Sequence, residues 1–221
     1  MQLDSNHSNQ FGDLENQKET LDIAVENLRN GKLIAYPTDT LYGLGCDAFN
    51  EIAVQEIFEV KQRPLGMPLP LIIGNYDQIN LVTESITTTI EKLIESFWPG
   101  PLTLIVPSGP KVPAIVGSRG WKVGVRIPDH PIPRYLSSML GNPIVGTSAN
   151  ISGMSETRTV NEVVNQIGNE VEMILKSNHK PKGMSSTILD ITGSQPRILR
   201  NGYITANQIE EICNETVIMD I

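Results

Sequence analysis

The chain has 221 residues, enough for one large domain or two small ones. A domain of this size buries roughly 70% of its extended-chain surface, so its core can be stable without disulfides or metal ions. Its two cysteines, Cys46 and Cys213, lie far apart in the sequence, so a disulfide framework is disfavoured and a reducing cytoplasm is expected. The amino-terminal residues are polar and no stretch approaches the length of a membrane span, which argues against a secreted or membrane-embedded protein.

The net charge of −8 argues against a polyanionic ligand until its distribution is considered. Residues 1–30 and 203–221 together hold ten of the 25 acids but only two of the 17 bases. Residues 31–202 therefore carry 15 acids and 15 bases, so the acidity belongs to the two ends. Bases outnumber acids between residues 111 and 134, where we expect a locally basic face.

In chain order, residues 1–18 lack an apolar period and predict a flexible acidic arm. Helical periodicity follows over 21–29, 51–60, 86–97, 132–140 and 160–167, with a last helix after Thr205. Short apolar runs predict strands over 33–36, 69–73, 102–106, 122–127, 144–145, 173–175, 187–191 and 197–200. The predicted N-caps are Thr20, Asn50 and Ser85, and capping boxes are predicted for Thr159 with Glu162 and for Thr205 with Gln208.

This interleaving of helices and strands, without an internal repeat, predicts a single α/β domain over residues 19–212 with one mixed sheet. Residues 213–221 are expected to be a tail. The glycine-rich and hydroxyl-rich junctions should gather along one rim of the sheet, where α/β proteins bind ligands. Residues 109–120 form a Gly/Pro-rich loop that is long enough to be a candidate lid.

A basic pair, Lys61 and Arg63, follows the second predicted helix. Pro64 disfavours helical backbone at Arg63, and in extended backbone residues two apart project to the same side. We therefore expect an ammonium and a guanidinium fork side by side, a pairing that suits a nucleoside triphosphate. Two solvated cations at a helix C-terminus would give the same pattern.

Residues 146–153 are dense in small hydrogen-bonding side chains and follow a predicted strand. We interpret them as a turn whose hydroxyls and backbone N–H groups bind phosphate or ribose oxygens. A structural turn rich in Ser and Asn is the alternative. A similar run of hydroxyls and glycines, from Pro37 to Gly45, marks another place where backbone approaches a ligand, or an ordinary turn.

Several other site classes are disfavoured. Gly43 to Ala48 fits the G-x-G-x-x-A dinucleotide fingerprint, but basic residues stand where its ribose-binding acid is expected. Gly146 to Asn150 lacks the second glycine of G-x-S-x-G, and the one histidine downstream, His179, lies in a Lys-rich loop. No Walker motif occurs, and the three histidines and two cysteines lack metal-ligand spacing.

Together these segments resemble the YrdC-like family, the threonylcarbamoyl-AMP synthases also called TsaC, from about Leu21 to Ile204. The segments that carry the resemblance are YPTDTLYGLG from Tyr36, KQRP from Lys61, WPGPLTL from Trp98, VRIP from Val125, SANISG from Ser148, SST from Ser185 and RNG from Arg200. The resemblance implies a short-form, YrdC-like single α/β domain: a twisted mixed β-sheet flanked by helices, with a concave central cleft.

The resemblance also implies an activity. L-Threonine, bicarbonate and ATP would condense into threonylcarbamoyl-AMP with release of pyrophosphate, and Mg²⁺ would be carried with ATP rather than held at a protein metal site. The adenylate would supply a separate tRNA-modification transferase complex. Weak RNA binding, no membrane contact and a cytoplasmic location are further expectations.

Residue roles follow from the same resemblance. The K-x-R and S-x-N signatures, taken as catalytic, fall on Lys61, Arg63, Ser148 and Asn150. These four and Arg200 would face ATP, while Thr38, Arg126 and Ser186 would surround threonine. The threonine contacts should differ locally at two departures: a histidine that some members carry is absent around Pro70, and Ser185 stands where an acid is usual.

Two other functions remain open at this point. One is a carbamoyltransferase-like domain that uses carbamoyl phosphate, as in hydrogenase-maturation proteins. The other is a non-catalytic module that binds double-stranded RNA, against which the acidic ends count. A threonine requirement for pyrophosphate release separates the first from the synthase, and steeply salt-dependent RNA binding would mark the second.

Overall fold

The structure, a computed structural model, describes residues 14–117, 121–178, 181 and 183–220. Most of the predicted arm, the end of the 109–120 loop, Arg119 and His179 lie outside these residues. A helical turn at residues 14–16 precedes the first long helix, and Leu14 packs against the core. The end of the predicted flexible arm is therefore helical.

Helices and strands interleave along the chain as predicted. The helices are α1 (Lys18–Arg29), α2 (Glu51–Val60), α3 (Thr88–Phe97), α4 (Pro131–Leu140), α5 (Val160–Ile167) and α6 (Ala206–Cys213), with a 3₁₀ helix at Tyr76–Leu81. The strands are β1 (Ile34–Pro37), β2 (Tyr42–Gly45), β3 (Leu71–Ile72), β4 (Leu102–Pro107), β5 (Lys122–Arg126), β6 (Ile144–Val145), β7 (Thr147–Ser148), β8 (Met173–Ile174), β9 (Thr187–Asp190), β10 (Arg197–Arg200) and β11 (Ile218–Met219). Among these described helices, none has the length and apolar character needed to cross a membrane.

The strands form two mixed sheets rather than the single sheet that we predicted. One has the order β7-β2-β1-β8 and the other the order β11-β10-β9-β4-β5-β3-β6. The sheets diverge at Gly146, since β6 pairs with β3 in the larger sheet and β7 pairs with β2 in the smaller one. A Cβ atom on Gly146 would lie 2.6 Å from the side chain of Ile72, so only glycine allows this close passage.

Two apolar clusters cover the faces of the sheets. Ile34 and Tyr36 of β1 point to the cluster under α1 and α4, whereas Leu33 and Ala35 point to the larger cluster under α2 and α3. This alternation buries both faces of β1. The predicted apolar stripe of α1, from Leu21 to Leu28, is buried as expected.

Helix termini test the predicted caps. Asn50 caps α2, and both predicted capping boxes, at Thr159 and Thr205, are present. Two predicted caps are wrong: Thr20 lies inside α1, and Thr87 rather than Ser85 caps α3 by accepting the N–H of Ile90. The helix begins two residues later than predicted, because Ile90 is the first residue of its buried face and the Thr87 hydroxyl is the one placed to cap it.

Candidate active site

A cavity of about 330 Å³ lies where the two sheets diverge. Its walls come from the β1–β2 turn, the segment after α2, the ends of β5 and β7, and the start of β9 with the end of β10. The polar residues that line it are Thr38, Thr40, Arg63, Thr103, Arg126, Thr147, Ser148, Glu156, Ser185, Ser186 and Arg200. The predicted rim of hydroxyl-bearing junctions is therefore present.

Arg126, at the end of β5, is the most deeply buried of the three lining arginines. Its Nη2 donates to Asp39 Oδ1 at 2.6 Å, and Nη1 and Nη2 both lie 3.4 Å from Thr40 Oγ1. Burial lowers the pKa of Arg126, while the carboxylate of Asp39 raises it. A guanidinium remains charged in proteins, so this cation is held in place at the cavity wall.

The β1–β2 turn is built around the Thr38 hydroxyl. Thr38 Oγ1 donates to the carbonyl of Leu41 at 2.7 Å and accepts the N–H groups of Thr40 and Leu41. It also lies 3.0 Å from Thr40 Oγ1. Thr38 thus lines the cavity as predicted, but its hydroxyl is occupied by the turn, and the neighbouring Thr40 is the hydroxyl that meets Arg126.

A second arginine network lies across the cavity. Arg200 donates from Nε and Nη2 to the carbonyl of Ser186 and from Nη2 to Ser186 Oγ, at 2.9–3.1 Å. Ser186 Oγ in turn lies 2.9 Å from Thr103 Oγ1. Partial burial lowers the pKa of Arg200; Glu156 opposes this shift and the charge of Arg126 adds to it. Both guanidinium groups line the same cavity, which favours an anionic ligand there.

Lys61 and Arg63, which the sequence predicted to lie side by side, have different surroundings: Arg63 lines the cavity, and Lys61 does not. Helix α2 ends with Gln62 in left-handed backbone at φ +49°, and the N–H of Arg63 bonds the carbonyl of Phe58 at 2.8 Å. This is a Schellman-type helix end. Gln62, the residue between the two cations, is the left-handed residue of this helix end.

Lys61 is 1% exposed, and it is not among the described residues that line the cavity. Its Nζ donates to the carbonyl of Ser148 at 2.5 Å and to that of Asn150 at 2.7 Å. Burial, with a smaller contribution from the charge of Arg63, lowers the pKa of Lys61 to about 8. Arg63 does line the cavity; its Nη2 donates to the carbonyl of Pro68 at 3.1 Å, and its Nε has no acceptor among the described residues.

The turn over residues 148–152 is less free than predicted. The N–H groups of residues 149, 150, 151 and 152 are all engaged, by Tyr42 O, Ser148 O, Gln166 Oε1 and Lys61 O respectively. In this conformation these four backbone N–H groups already have acceptors, so binding of phosphate or ribose by the run stays a prediction that would fall to its hydroxyls. The amide of Asn150 donates to the carbonyls of Ile151 and Met154, so Ser148 is the residue of the S-x-N signature that lines the cavity.

The structure thus brings six of the eight predicted site residues to one cavity and places the other two behind it. The six are Thr38, Arg63, Arg126, Ser148, Ser186 and Arg200. Sequence reasoning missed Asp39, Thr40, Thr103 and Glu156 as site residues; the first three lay within segments that carry the family resemblance, and no pattern pointed to Glu156. Both departures from the family pattern, Pro70 and Ser185, line the cavity.

The donor set bears on metal binding. Among the described residues, no group of three or more His, Cys, Asp or Glu side chains could hold a metal ion. Glu156 is the one carboxylate among the lining residues that the structure describes. Mg²⁺ commonly binds through substrate phosphates with one or two carboxylates, so this cavity fits an ion that arrives on a nucleotide.

Comparison with known proteins gives the cavity a context. A family model named Sua5_yciO_yrdC, described as telomere recombination, matches residues 26–202. A threonylcarbamoyl-AMP synthase of Pyrococcus abyssi (strain GE5 / Orsay) is 37% identical over 193 residues, covering 87% of this chain and 57% of that protein. One of Vibrio vulnificus (strain YJ016) is 36% identical over 184 residues, covering 82% of this chain and 98% of that protein.

Two solved structures are similar over most of the chain. The crystal structure of P. abyssi Sua5 complexed with L-threonine has a TM-score of 0.86 at 37% identity and covers 90% of this chain and 58% of that one. The crystal structure of E. coli YciO has a TM-score of 0.79 at 26% identity and covers 87% of this chain and 94% of that one. The chain therefore spans somewhat over half of the Pyrococcus protein and nearly all of the Vibrio protein and YciO.

Proposed function

The chain belongs to the Sua5/YciO/YrdC family, and on that basis we propose that it is an L-threonylcarbamoyladenylate synthase. This enzyme, a nucleotidyltransferase, makes threonylcarbamoyl-AMP and pyrophosphate from L-threonine, bicarbonate and ATP. The observation that carries the proposal is the convergence of three guanidinium groups, from Arg63, Arg126 and Arg200, on one cavity with few acids. Such a cavity suits substrates that bring a carboxylate, a bicarbonate and a triphosphate to one place.

Arg126 is our candidate for the threonine carboxylate. The guanidinium is buried and held by Asp39, which does not line the cavity, and by Thr40, which does, so it has little freedom to turn. A pre-oriented planar fork binds a carboxylate with two parallel hydrogen bonds, a geometry that lysine cannot copy. The hydroxyl of Ser186, held between Thr103 and Arg200, lies in the same cavity and is a candidate for a further contact with the amino acid.

Arg63, Arg200 and Ser148 are our candidates for the nucleotide. Arg63 lines the cavity, and a planar guanidinium fork is suited to a phosphate. Arg200 lies at the end of β10 and also lines the cavity. Mg²⁺ would enter with ATP on its phosphate oxygens, where Glu156 could supply one protein ligand and the ion would supply charge neutralisation.

The proposed chemistry requires little acid–base catalysis. The amine of threonine and bicarbonate give a carbamate and water, and a carbamate oxygen attacks the α-phosphorus of ATP while pyrophosphate leaves. Because the nucleophile is already an anion, no strong general base is needed at this step. The reaction needs alignment and neutralisation of charge, and fixed arginines in a water-poor cavity can provide both.

The product has a proposed destination. Threonylcarbamoyl-AMP would pass to a separate transferase complex that modifies tRNA, and we place this step in the cytoplasm. Both cysteines are buried and unpaired, as expected in a reducing compartment. RNA binding by this chain is secondary in the proposal, because Arg126 and Lys122 are each ion-paired with a carboxylate at 2.6 Å, which reduces the free positive charge.

Mass spectrometry of a reaction with ATP, bicarbonate and L-threonine tests the function. We expect a threonine-dependent adenylate together with pyrophosphate in equal amount. A parallel reaction replaces bicarbonate with carbamoyl phosphate and omits threonine. Turnover in that reaction alone would refute the synthase and favour the carbamoyltransferase alternative, whereas salt-sensitive RNA binding without any adenylate would favour the RNA-binding alternative.

A further inference from the structure

Lys61 makes three hydrogen bonds to one short stretch of chain. Its Nζ donates to the carbonyl oxygens of Ser148 and Asn150, at 2.5 and 2.7 Å, and its own carbonyl oxygen accepts the N–H of Ser152 at 2.8 Å. These contacts tie Lys61 to both ends of the turn. Ser148 and Asn150 lie 87 and 89 positions after Lys61 in the sequence, so the bonds are long-range. We infer that Lys61 is a positioning residue that braces the 148–152 turn, rather than a ligand of the ATP phosphates.

The carbonyl groups of the turn explain why a cation is needed there. Three successive carbonyls are taken by side chains: Lys61 binds those of residues 148 and 150, and Thr157 Oγ1 donates to that of Ala149 at 3.1 Å. Buried carbonyl oxygens that converge without a donor are costly, and charge-assisted hydrogen bonds are stronger than neutral ones. The ammonium therefore holds two carbonyls inward, and the Ser148 hydroxyl is left at the cavity wall.

The end of α2 explains why this brace comes from Lys61 and not from Arg63. Gln62, in left-handed backbone, lies between the two residues; the ammonium of Lys61 is buried against the carbonyls of the turn, whereas Arg63 lines the cavity. The two cations of the K-x-R signature then have different tasks. One fixes the S-x-N turn from behind, and the other faces the ligand.

Amide hydrogen exchange in the ligand-free protein tests the brace. In Lys61→Met, a substitution that keeps much of the side-chain length but removes the ammonium, we expect the amides of Asn150 and Ser152 to exchange about tenfold faster. The amide of Val163 in α5 should not change. The matched control is Lys122→Met, which removes an ammonium that pairs with Asp190 and has no contact with the turn; it should leave residues 148–152 unaffected.

Unchanged exchange at Asn150 and Ser152 in folded Lys61→Met, together with a raised ATP requirement, would overturn the inference and favour direct phosphate contact. If the variant does not fold, the wild-type protein supplies a second test. Burial lowers the pKa of Lys61 to about 8, so raising the pH removes the proton from its ammonium in the folded protein. The amide resonances of residues 148–152 should shift over the same pH range in which the Lys61 side chain itself titrates by NMR. Turn resonances that do not respond while Lys61 titrates would also overturn the brace.

A double-mutant cycle gives a further test, which rests on the proposed function. Lys61→Met and Ser148→Ala are measured singly and together for adenylate formation. If Lys61 acts through the turn, the combined loss is smaller than the product of the two single losses; independent contacts with ATP would multiply. The exchange measurements need no substrate, so a failure of the proposed function leaves the test of the brace intact.

Discussion

The Nη2 group of Arg126 lies 2.6 Å from Oδ1 of Asp39, and both side chains are almost fully buried at the wall of the cavity. A buried pair of this kind is costly to break, because either partner alone would be an uncompensated charge. Asp39 does not line the cavity, so it holds Arg126 from behind. The orientation of the guanidinium is thus set by the protein before any ligand arrives.

Replacing Arg126 with Lys tests this orientation. The variant keeps the positive charge but loses the fork, so we expect the threonine concentration for half-maximal rate to rise about tenfold or more, and that for ATP to change less than about twofold. Steady-state pyrophosphate release with each substrate varied in turn gives both values. Arg197→Lys, at an exposed arginine that pairs with Asp220, is the control. Equal effects on both substrates would remove Arg126 from the carboxylate.

Replacing Arg63 with Gln should affect the requirement for ATP rather than the requirement for threonine. Arg63 takes no part in the described hydrogen bonds of Arg126, and the substitution removes a cavity-lining cation whose Nε has no described acceptor. We expect the ATP requirement to rise about tenfold, while the threonine requirement stays within about twofold. The same kinetic series measures this, with Arg29→Gln on the exposed face of α1 as the control. A larger effect on threonine would reverse the assignment of the two ends of the cavity.

Much of the fold could be predicted because it depends on local patterns. The apolar face of α1 and the capping boxes at Thr159 and Thr205 each depend on residues three or four positions apart in the sequence. The division into two sheets could not be predicted in this way. It depends on the strand leaving one sheet at Gly146 and entering the other at Thr147, and this exchange of partners lies between segments far apart in the sequence.

The candidate site likewise has features that could be predicted from the sequence and features that could not. The presence of Arg126, Ser186 and Arg200 followed from the resemblance, but the direction of the Lys61 side chain did not. It is set by contacts with the carbonyls of Ser148 and Asn150, which lie far away in the sequence. The positive φ at Gln62 could not be predicted either, since this residue type gives no sign of left-handed backbone as glycine or asparagine would. Thr40 was missed for a similar reason, since the turn selects which of two adjacent threonines meets the guanidinium.

The Thr38 hydroxyl is predicted to act mainly on stability. Thr38→Ala removes one donor and one acceptor that together organise the β1–β2 turn, so we expect a loss of about 1–2 kcal/mol in the free energy of unfolding. Thr38→Ser keeps the hydroxyl and should stay within about 0.5 kcal/mol of wild type. Urea unfolding followed by circular dichroism measures both. An unchanged midpoint for Thr38→Ala would mean that the turn does not need this hydroxyl.

The helix end at Gln62 predicts a stabilising substitution. An L-residue in left-handed backbone is strained by about 1–2 kcal/mol, and glycine removes this strain at an entropic cost of about 0.5–1 kcal/mol. We therefore expect Gln62→Gly to stabilise the protein by about 0.5–1 kcal/mol in urea unfolding. Gly141, which ends α4 at φ +83° with open space around a Cβ atom, gives the matched opposite change, and Gly141→Ala should destabilise. A destabilised Gln62→Gly would contradict the left-handed assignment.

The depressed pKa of Lys61 predicts how stability depends on pH. Burial lowers this pKa from 10.5 to about 8, so between these values the unfolded chain binds the proton and the folded chain does not. Stability then rises with pH across this window, and the part contributed by Lys61 is about 2–3 kcal/mol between about pH 7.5 and pH 10. Lys61→Met lacks the group, so urea unfolding of both proteins at the two pH values should show wild type gaining on the variant at the higher pH. A difference in the free energy of unfolding that does not change with pH would contradict the lowered pKa. The hydrogen bonds to the carbonyls of Ser148 and Asn150 would then fully offset the desolvation of the ammonium.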